Sequence, residues 1–413
     1  MGEPVRPDVP RPETSTSRGS VHSVGPEVRL LLATAGGDAM DATVERLVAG
    51  PMRWDIFLGL VRIERAAPVV WPRLRRLLRN RMPNDLLEGL GRAAVMQDIR
   101  MTRMSVRLDQ TLAALTGVGI PVLLLKGAAL GKTVYGSLPR RPMLDLDLLI
   151  PADQLARARE VALGAGWEAG PLEGERDFYQ DHYHLPPFFD KGGADFSLEL
   201  HNGLFFRGHP FAFDVGEVWE RSVPLEGAPR VRVPGTTDMV LHLALHFAWS
   251  HTMRSATWRT FRDLGTLADS GAIDWGDVGR EAHRSRGASC CYWAFRLARR
   301  WAGVKVPESL LQSLRPPIPD PVLPVLDRHF THLWYPVDLP CPSTRLDWAL
   351  WRIAIRPKWS GHGAVLPWQR DPRFRHPDIP LPAQDGTPRK FRRHLGQLGA
   401  YVRYFRRLLA TDA

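Results

Sequence analysis

The stretch from Val122 to Ile150, VLLLKGAALGKTVYGSLPRRPMLDLDLLI, leaves few folds open to this chain. An apolar run, Val122 to Leu125, ends at Lys126-Gly127. A helical segment from Ala128 to Tyr135, a loop, and a second apolar run carrying Asp145 and Asp147 follow. Successive side chains of a strand point to opposite faces, so the two aspartates emerge together, with Leu144, Leu146 and Leu148 expected in the core. Two carboxylates on one half-buried face repel each other unless a cation is shared. Mg²⁺ (or Mn²⁺) suits such a pair, because hard oxygen ligands hold it while other coordination positions stay free for phosphates.

The turn before the aspartates completes the expectation. Gly127 permits a close backbone turn, and the free N–H groups of the helix start that follows form an anion site. Lys126 adds a positive charge there, and Arg141, four residues before Asp145, adds another from the loop. Strand, turn and helix start thus face one triphosphate, which makes an NTP the expected substrate. An Asp-x-Asp by itself is common on solvated surfaces; the Lys-Gly turn just upstream is what points it toward chemistry.

Farther along, Ala194 to Leu204 (ADFSLELHNGL) alternates as a strand, with Phe196, Leu198 and Leu200 on one face and Ser197, Glu199 and His201 on the other. Glu199 is a candidate third carboxylate, able to hold a metal and to accept a proton from an attacking hydroxyl, and His201 shares its face. A solvent-facing strand edge is the alternative account of that face. His182 and His184 lie in DHYHL, within a Tyr-rich loop, and are expected to be surface groups, with substrate binding as the alternative. His242 and His246 have metal-ligand spacing, but Leu243 stands where a HExxH protease motif needs Glu. Helical packing with imidazole tips at a cleft edge is therefore expected in place of zinc.

The order KGAAL, Tyr135, Arg141, DLDLLI and a helix ending in AxxxxLxxGW, from Ala158 to Trp167, resembles an uncharacterised nucleotidyltransferase-like family of bacterial proteins, a branch of the polymerase beta-type superfamily. The resemblance covers roughly Trp54 to Trp275. It implies an α+β fold: a polymerase beta-like nucleotidyltransferase core, a mixed sheet with helices, flanked by N- and C-terminal helical regions. In that superfamily two carboxylates come from one strand and a third from a neighbouring one. The resemblance thus implies catalytic and metal-holding roles for Asp145, Asp147 and Glu199, and nucleotide-binding roles for Lys126, Gly127, Arg141 and His201. Arg259, Arg262 and Asp263 resemble the family's Arg- and Asp-bearing helix. One departure stands out: the Gly-Ser pair usual at the helix start is Lys126-Gly127-Ala128-Ala129 here, so no Ser hydroxyl faces the phosphate.

The 413 residues, 44% apolar, suffice for two or three domains with a sizeable core. A net charge of +11 favours phosphate-rich partners, although Arg-rich composition alone produces such a charge. Three cysteines, two of them adjacent, are no disulfide framework. No apolar run of about 18 residues and no signal-peptide pattern is visible, so a cytoplasmic protein is expected.

The expected organisation is a disordered leader over 1–26, an N-terminal helical region over 27–116, the catalytic domain over 117–235, a helical domain over 236–305, and a Pro-rich segment with a basic amphipathic helix over 306–413. Ile56, Leu60 and Ile63 form one expected core stripe; Met96, Ile99, Met104, Leu108, Leu112 and Leu115 form another. The basic helix, Arg389 to Leu409, reads as docked on the body with a solvated basic face, or as a contact for a membrane surface, RNA or a partner.

Two functions are consistent with these readings. One is Mg²⁺-dependent transfer of a nucleotidyl group from an NTP to an acceptor hydroxyl by two-metal in-line displacement, the acceptor being a small molecule, peptide, sugar, protein or RNA. The other is a catalytically weak nucleotide-binding or regulatory module that engages a protein or nucleic acid. Oligomeric state has no signature in the sequence.

Overall fold

The computed structural model describes residues 24–78, 81–170, 182–206, 209–335, 341–355 and 388–409, the last segment with side chains from 399 onward. Most of the expected leader lies outside these residues, as do parts of the expected Pro-rich segment, 336–340 and 356–387. At Pro26 the first helix has already begun.

Five helices open the fold: α1 (Pro26–Ala35), α2 (Asp41–Val48), α3 (Trp54–Ile63), α4 (Ala67–Leu78) and the 34-residue α5 (Asn84–Gly117). The long helix buries Leu86, Leu90, Ala94, Gln97, Met101, Met104, Leu108, Leu112 and Leu115, a stripe at steps of three and four. Met96 and Ile99, expected in the core, fall off this stripe and are exposed; Ile63 at the end of α3 is exposed too. An apolar residue in a helix is placed by the neighbour the helix packs against, and α5 turns the Gln97–Met101 side inward. Its Gly91 lets α4 approach, since a Cβ there would sit 3.2 Å from the Trp71 indole nitrogen.

Seven strands form one mixed sheet among the described residues, ordered β3-β4-β5-β2-β1-β7-β6. They are β1 (Val122–Leu124), β2 (Asp145–Leu149), β3 (Trp167–Ala169), β4 (Phe188–Asp190), β5 (Ser197–His201), β6 (Val223–Leu225) and β7 (Ala228–Val233). The central β1 is wholly buried, as a continuous apolar run predicts. It pairs antiparallel with β2 and parallel with β7, while β2 pairs parallel with β5. Between β1 and β2 lies α6 (Lys126–Thr133), which starts two residues earlier than expected. Leu144 is a further correction: it precedes β2 at the end of the ladder, and its side chain is half-exposed instead of buried.

After β2 comes α7 (Leu155–Gly164), and α8 (Val215–Arg221) precedes the β6–β7 hairpin. Next is α9 (Thr236–Leu245), which runs directly into a single π-helical turn, His246–Ser250. Then follow α10 (Thr257–Asp269), α11 (Trp275–Arg284), capped by the Asp274 side chain, α12 (Ala288–Ala302) and α13 (Glu308–Leu314). The last three helices are α14 (Leu323–Trp334), α15 (Thr344–Ile355) and α16 (Pro388–Leu409). Tyr404 and Leu408 of α16 are buried, and the Tyr404 hydroxyl meets His329 at 2.7 Å, so the basic helix is docked on the body. Among the described residues no helix is long and apolar enough to cross a membrane.

Candidate active site

Register builds the site. In the parallel β2–β5 pair, Asp145 lies opposite Ser197, Asp147 opposite Glu199 and Leu149 opposite His201. Leu146, Leu148, Leu198 and Leu200 fill the core face. Asp145, Asp147 and Glu199 therefore stand on the other face as near neighbours. Donor atoms of Asp147, Glu199 and His201 all lie within 4.8 Å of one another. Asp145 stands two residues upstream of Asp147, outside that closest group. His201, expected only to contact the nucleotide, is inside it.

Lys126 enters from the turn. Its φ of +42° is left-handed, a conformation that costs a residue with a Cβ about 1–2 kcal/mol and that glycine adopts freely. The strain holds the ammonium over the sheet, where Nζ donates to Asp147 Oδ1 at 2.8 Å and lies 3.4 Å from His246 Nε2. The same Asp147 oxygen meets His201 Nε2 at 2.9 Å, and that nitrogen also lies 3.4 Å from Glu199 Oε2. His184 Nε2 approaches Glu199 Oε2 at 3.5 Å.

Burial and these neighbours divide the charges. Burial, reinforced by the charges of Asp147 and Glu199, lifts Asp145 to about 6. Asp147 shares the burial, but Lys126 and His201 overcome it and hold its carboxyl well below the usual range. Glu199 is lowered too, since the hydrogen bond from His201 and the nearby His184 outweigh burial. For His201 burial works against protonation, yet its bonds to Asp147 and Glu199 win and raise it. Burial drives the surrounding imidazoles the other way: His184 to about 4, His242 and His251 to about 3, and His246 well below its ordinary value. The Lys126 ammonium and the His201 ring thus face three carboxylates inside a wall of neutral rings.

Other expectations meet different outcomes. Gly127 is packed at the turn, where a Cβ would lie 3.1 Å from the Met143 sulfur and 3.3 Å from Arg141 Nη1. Arg141 does not project from the loop toward a phosphate. It is buried against Asp263, with Nε at 2.8 and 3.1 Å from the two carboxylate oxygens and Nη2 at 2.6 Å, and Tyr135 donates to the same carboxylate at 2.9 Å. These bonds make Asp263 a brace for the loop that carries Arg141. His184, expected at the surface, is buried with its ring 5.0 Å from His201, because Leu185 N–H pairs with the Leu200 carbonyl and draws the DHYHL segment onto β5. His246 turns to Lys126 and is not paired with His242, whose two ring nitrogens are buried without a hydrogen-bond partner among the described residues. The clustered histidines in the sequence were the signal for His184 and His246; only the fold supplied their targets.

The donor set fits a divalent cation: oxygen donors from adjacent strands, with more carboxylates than internal cations to neutralise them. A mixed sheet that presents carboxylates from two neighbouring parallel strands beside a helix-start turn defines a nucleotidyltransferase-type core flanked by helices. A family profile described as "Uncharacterised nucleotidyltransferase" matches residues 50–303, more than half of the chain, and the chain belongs to that family. No curated protein and no solved structure matches it.

Proposed function

We propose that this chain is a divalent-cation-dependent nucleotidyltransferase that moves a nucleotidyl group from an NTP to an acceptor hydroxyl. The observation that carries the reading is the pairing of Asp147 with Glu199 on adjacent parallel strands, with Asp145 on the same face and Lys126 reaching over it. Asp145, Asp147 and Glu199 would hold Mg²⁺ or Mn²⁺, which when bound neutralises charge on the attacking and leaving oxygens of an in-line displacement.

The protein's own groups supply the rest. Lys126 offsets phosphate charge from the turn, in place of the Ser hydroxyl the sequence lacks, and the α6 N–H groups face the phosphates. Glu199 retains solvent access and is placed to take the proton of the acceptor hydroxyl. His201 ties Asp147 to Glu199 and so fixes their spacing. Arg141 supports the turn through Asp263 and does not serve as a phosphate ligand in this reading. The acceptor is a small molecule, peptide, protein or RNA. Three cysteines, two of them adjacent, make no disulfide framework, which is consistent with a reducing cytoplasmic setting.

A second reading, a nucleotide-binding or regulatory module with little turnover, draws on one observation: Lys126 and His201 already occupy the same oxygen of Asp147. Nucleotide binding and pyrophosphate release, measured with Mg²⁺ or Mn²⁺ in the wild type and in Asp145→Ala and Asp147→Ala, decide between them. Metal-dependent binding with pyrophosphate release that both variants abolish supports transfer. Binding without release across acceptor screens favours the module, and no nucleotide binding at all overturns both.

A further inference from the structure

Cations also converge just past the end of α6, at a cavity that Asp145, Asp147 and Glu199 do not line. There α4, α5, α10, the loop after α1 and the segment following α6 line an open cavity of about 820 Å³. Small-ligand sites commonly span roughly 300–1,000 Å³. Four arginines line it: Arg73, Arg76, Arg140 and Arg262. Two are committed. Arg73 bonds Asp41 and the Gly36 and Gly37 carbonyls, and Arg76 holds Asp38 and Asp41.

The other two are not. Arg262 lies over the rings of Tyr135 and Trp258, 5.4 and 5.9 Å from their centroids, and its Nε is buried without a hydrogen-bond partner. Neither Arg262 nor the exposed Arg140 has a carboxylate partner among the described residues. A buried donor left without an acceptor destabilises the fold, and an oxygen anion in the cavity would relieve it. The arginines outnumber the two lining carboxylates, Asp38 and Asp98, and Asp38 is already tied to Arg76.

We propose that this rear cavity is a binding site for a small phosphate-bearing anion held between Arg140 and Arg262. Forked guanidinium donors on two sides match the several oxygens of a phosphate. The inference does not depend on the transfer reaction. The cavity wall is nevertheless joined to the turn at the front: Thr266 donates to the Tyr135 hydroxyl at 3.2 Å, Tyr135 to Asp263 at 2.9 Å, and Asp263 grips Arg141, which abuts Gly127. A ligand that moves Tyr135 therefore acts on the turn that carries Lys126.

The test is calorimetric titration of the full chain with inorganic pyrophosphate, without divalent cation. Wild type is compared with Arg140→Ala, Arg262→Met and the front-site variant Lys126→Met, each checked for folding by circular dichroism. The expected result is a binding event that persists in Lys126→Met and is weakened at least about tenfold by Arg140→Ala and by Arg262→Met. Absence of binding heat overturns the proposal. So does binding that Lys126→Met abolishes while Arg140→Ala leaves it intact, since the anion then sits at the front turn. Arg140 is exposed, so its variant decides the question even if Arg262→Met fails to fold.

Discussion

Two buried ion pairs flank Gly127, and they do opposite work. Arg141 and Asp263 meet at 2.6 Å, and Tyr135 supplies a further hydrogen bond, so both carboxylate oxygens are occupied and the knot is closed. Lys126 and Asp147 meet at 2.8 Å, yet Asp145 and Glu199 stand beside them with charge to spare and partial exposure to solvent. A buried pair with matched charge and filled hydrogen bonds holds structure; one embedded in excess like charge has an appetite for a further cation or ligand. The first pair is a brace, and the second belongs to the proposed working site.

The largest separation between them concerns activity. Asp147→Ala is expected to lower pyrophosphate release by several kcal/mol of transition-state stabilisation, on the order of 10³-fold, in a steady-state assay with Mg²⁺ or Mn²⁺. Stability is expected to rank the pairs the other way. Asp263→Ala strands the Arg141 guanidinium and should cost about 3–5 kcal/mol in urea unfolding. Asp147→Ala leaves Lys126 with Asp145 and Glu199 and should cost clearly less. Equal stability losses for the two variants would erase the distinction.

Smaller effects sharpen the front side. If the left-handed backbone at Lys126 is maintained for its ammonium, Lys126→Gly should be more stable than Lys126→Ala by about 1 kcal/mol, since both lose the charge and glycine alone loses the strain. Indistinguishable denaturation midpoints would show that the turn is not strained.

The smallest effect belongs to a half-exposed pair at the rear cavity. Burial would raise the Asp41 carboxyl, but hydrogen bonds from Arg76 and Arg73 outweigh it and lower it below 3.8. A depressed carboxylate stabilises the fold above its ordinary range and loses that contribution as pH falls through it. Thermal unfolding of Asp41→Asn should accordingly show a deficit under about 1 kcal/mol near neutrality that shrinks as the pH drops below 4. A deficit that grows on acidification would reverse the assignment.

Several of these features were legible in one dimension. Alternation in DLDLL and SLELH placed Asp145, Asp147, Glu199 and His201 on their faces, because side-chain direction in a strand is a local property. The Lys126-Gly127 turn was visible for the same reason, even though its helix begins two residues early. Alternation failed at Leu144, where the ladder ends, and helical periodicity failed at Met96 and Ile99, where the choice of buried side rests with the packing neighbour.

What the chain alone determined, then, is which residues can act: carboxylates at strand spacing, a lysine at a turn, and histidines in clusters. What only the tertiary structure decided is which of them meet. The parallel register of β2 and β5 brought Glu199 to Asp147, the bridge to β5 buried His184, the π turn after α9 aimed His246 at Lys126, and Asp263 claimed Arg141. Face and periodicity follow from backbone geometry within a few residues, whereas the partner of a charge is set by contacts across 21 to 122 positions, and no local pattern encodes those.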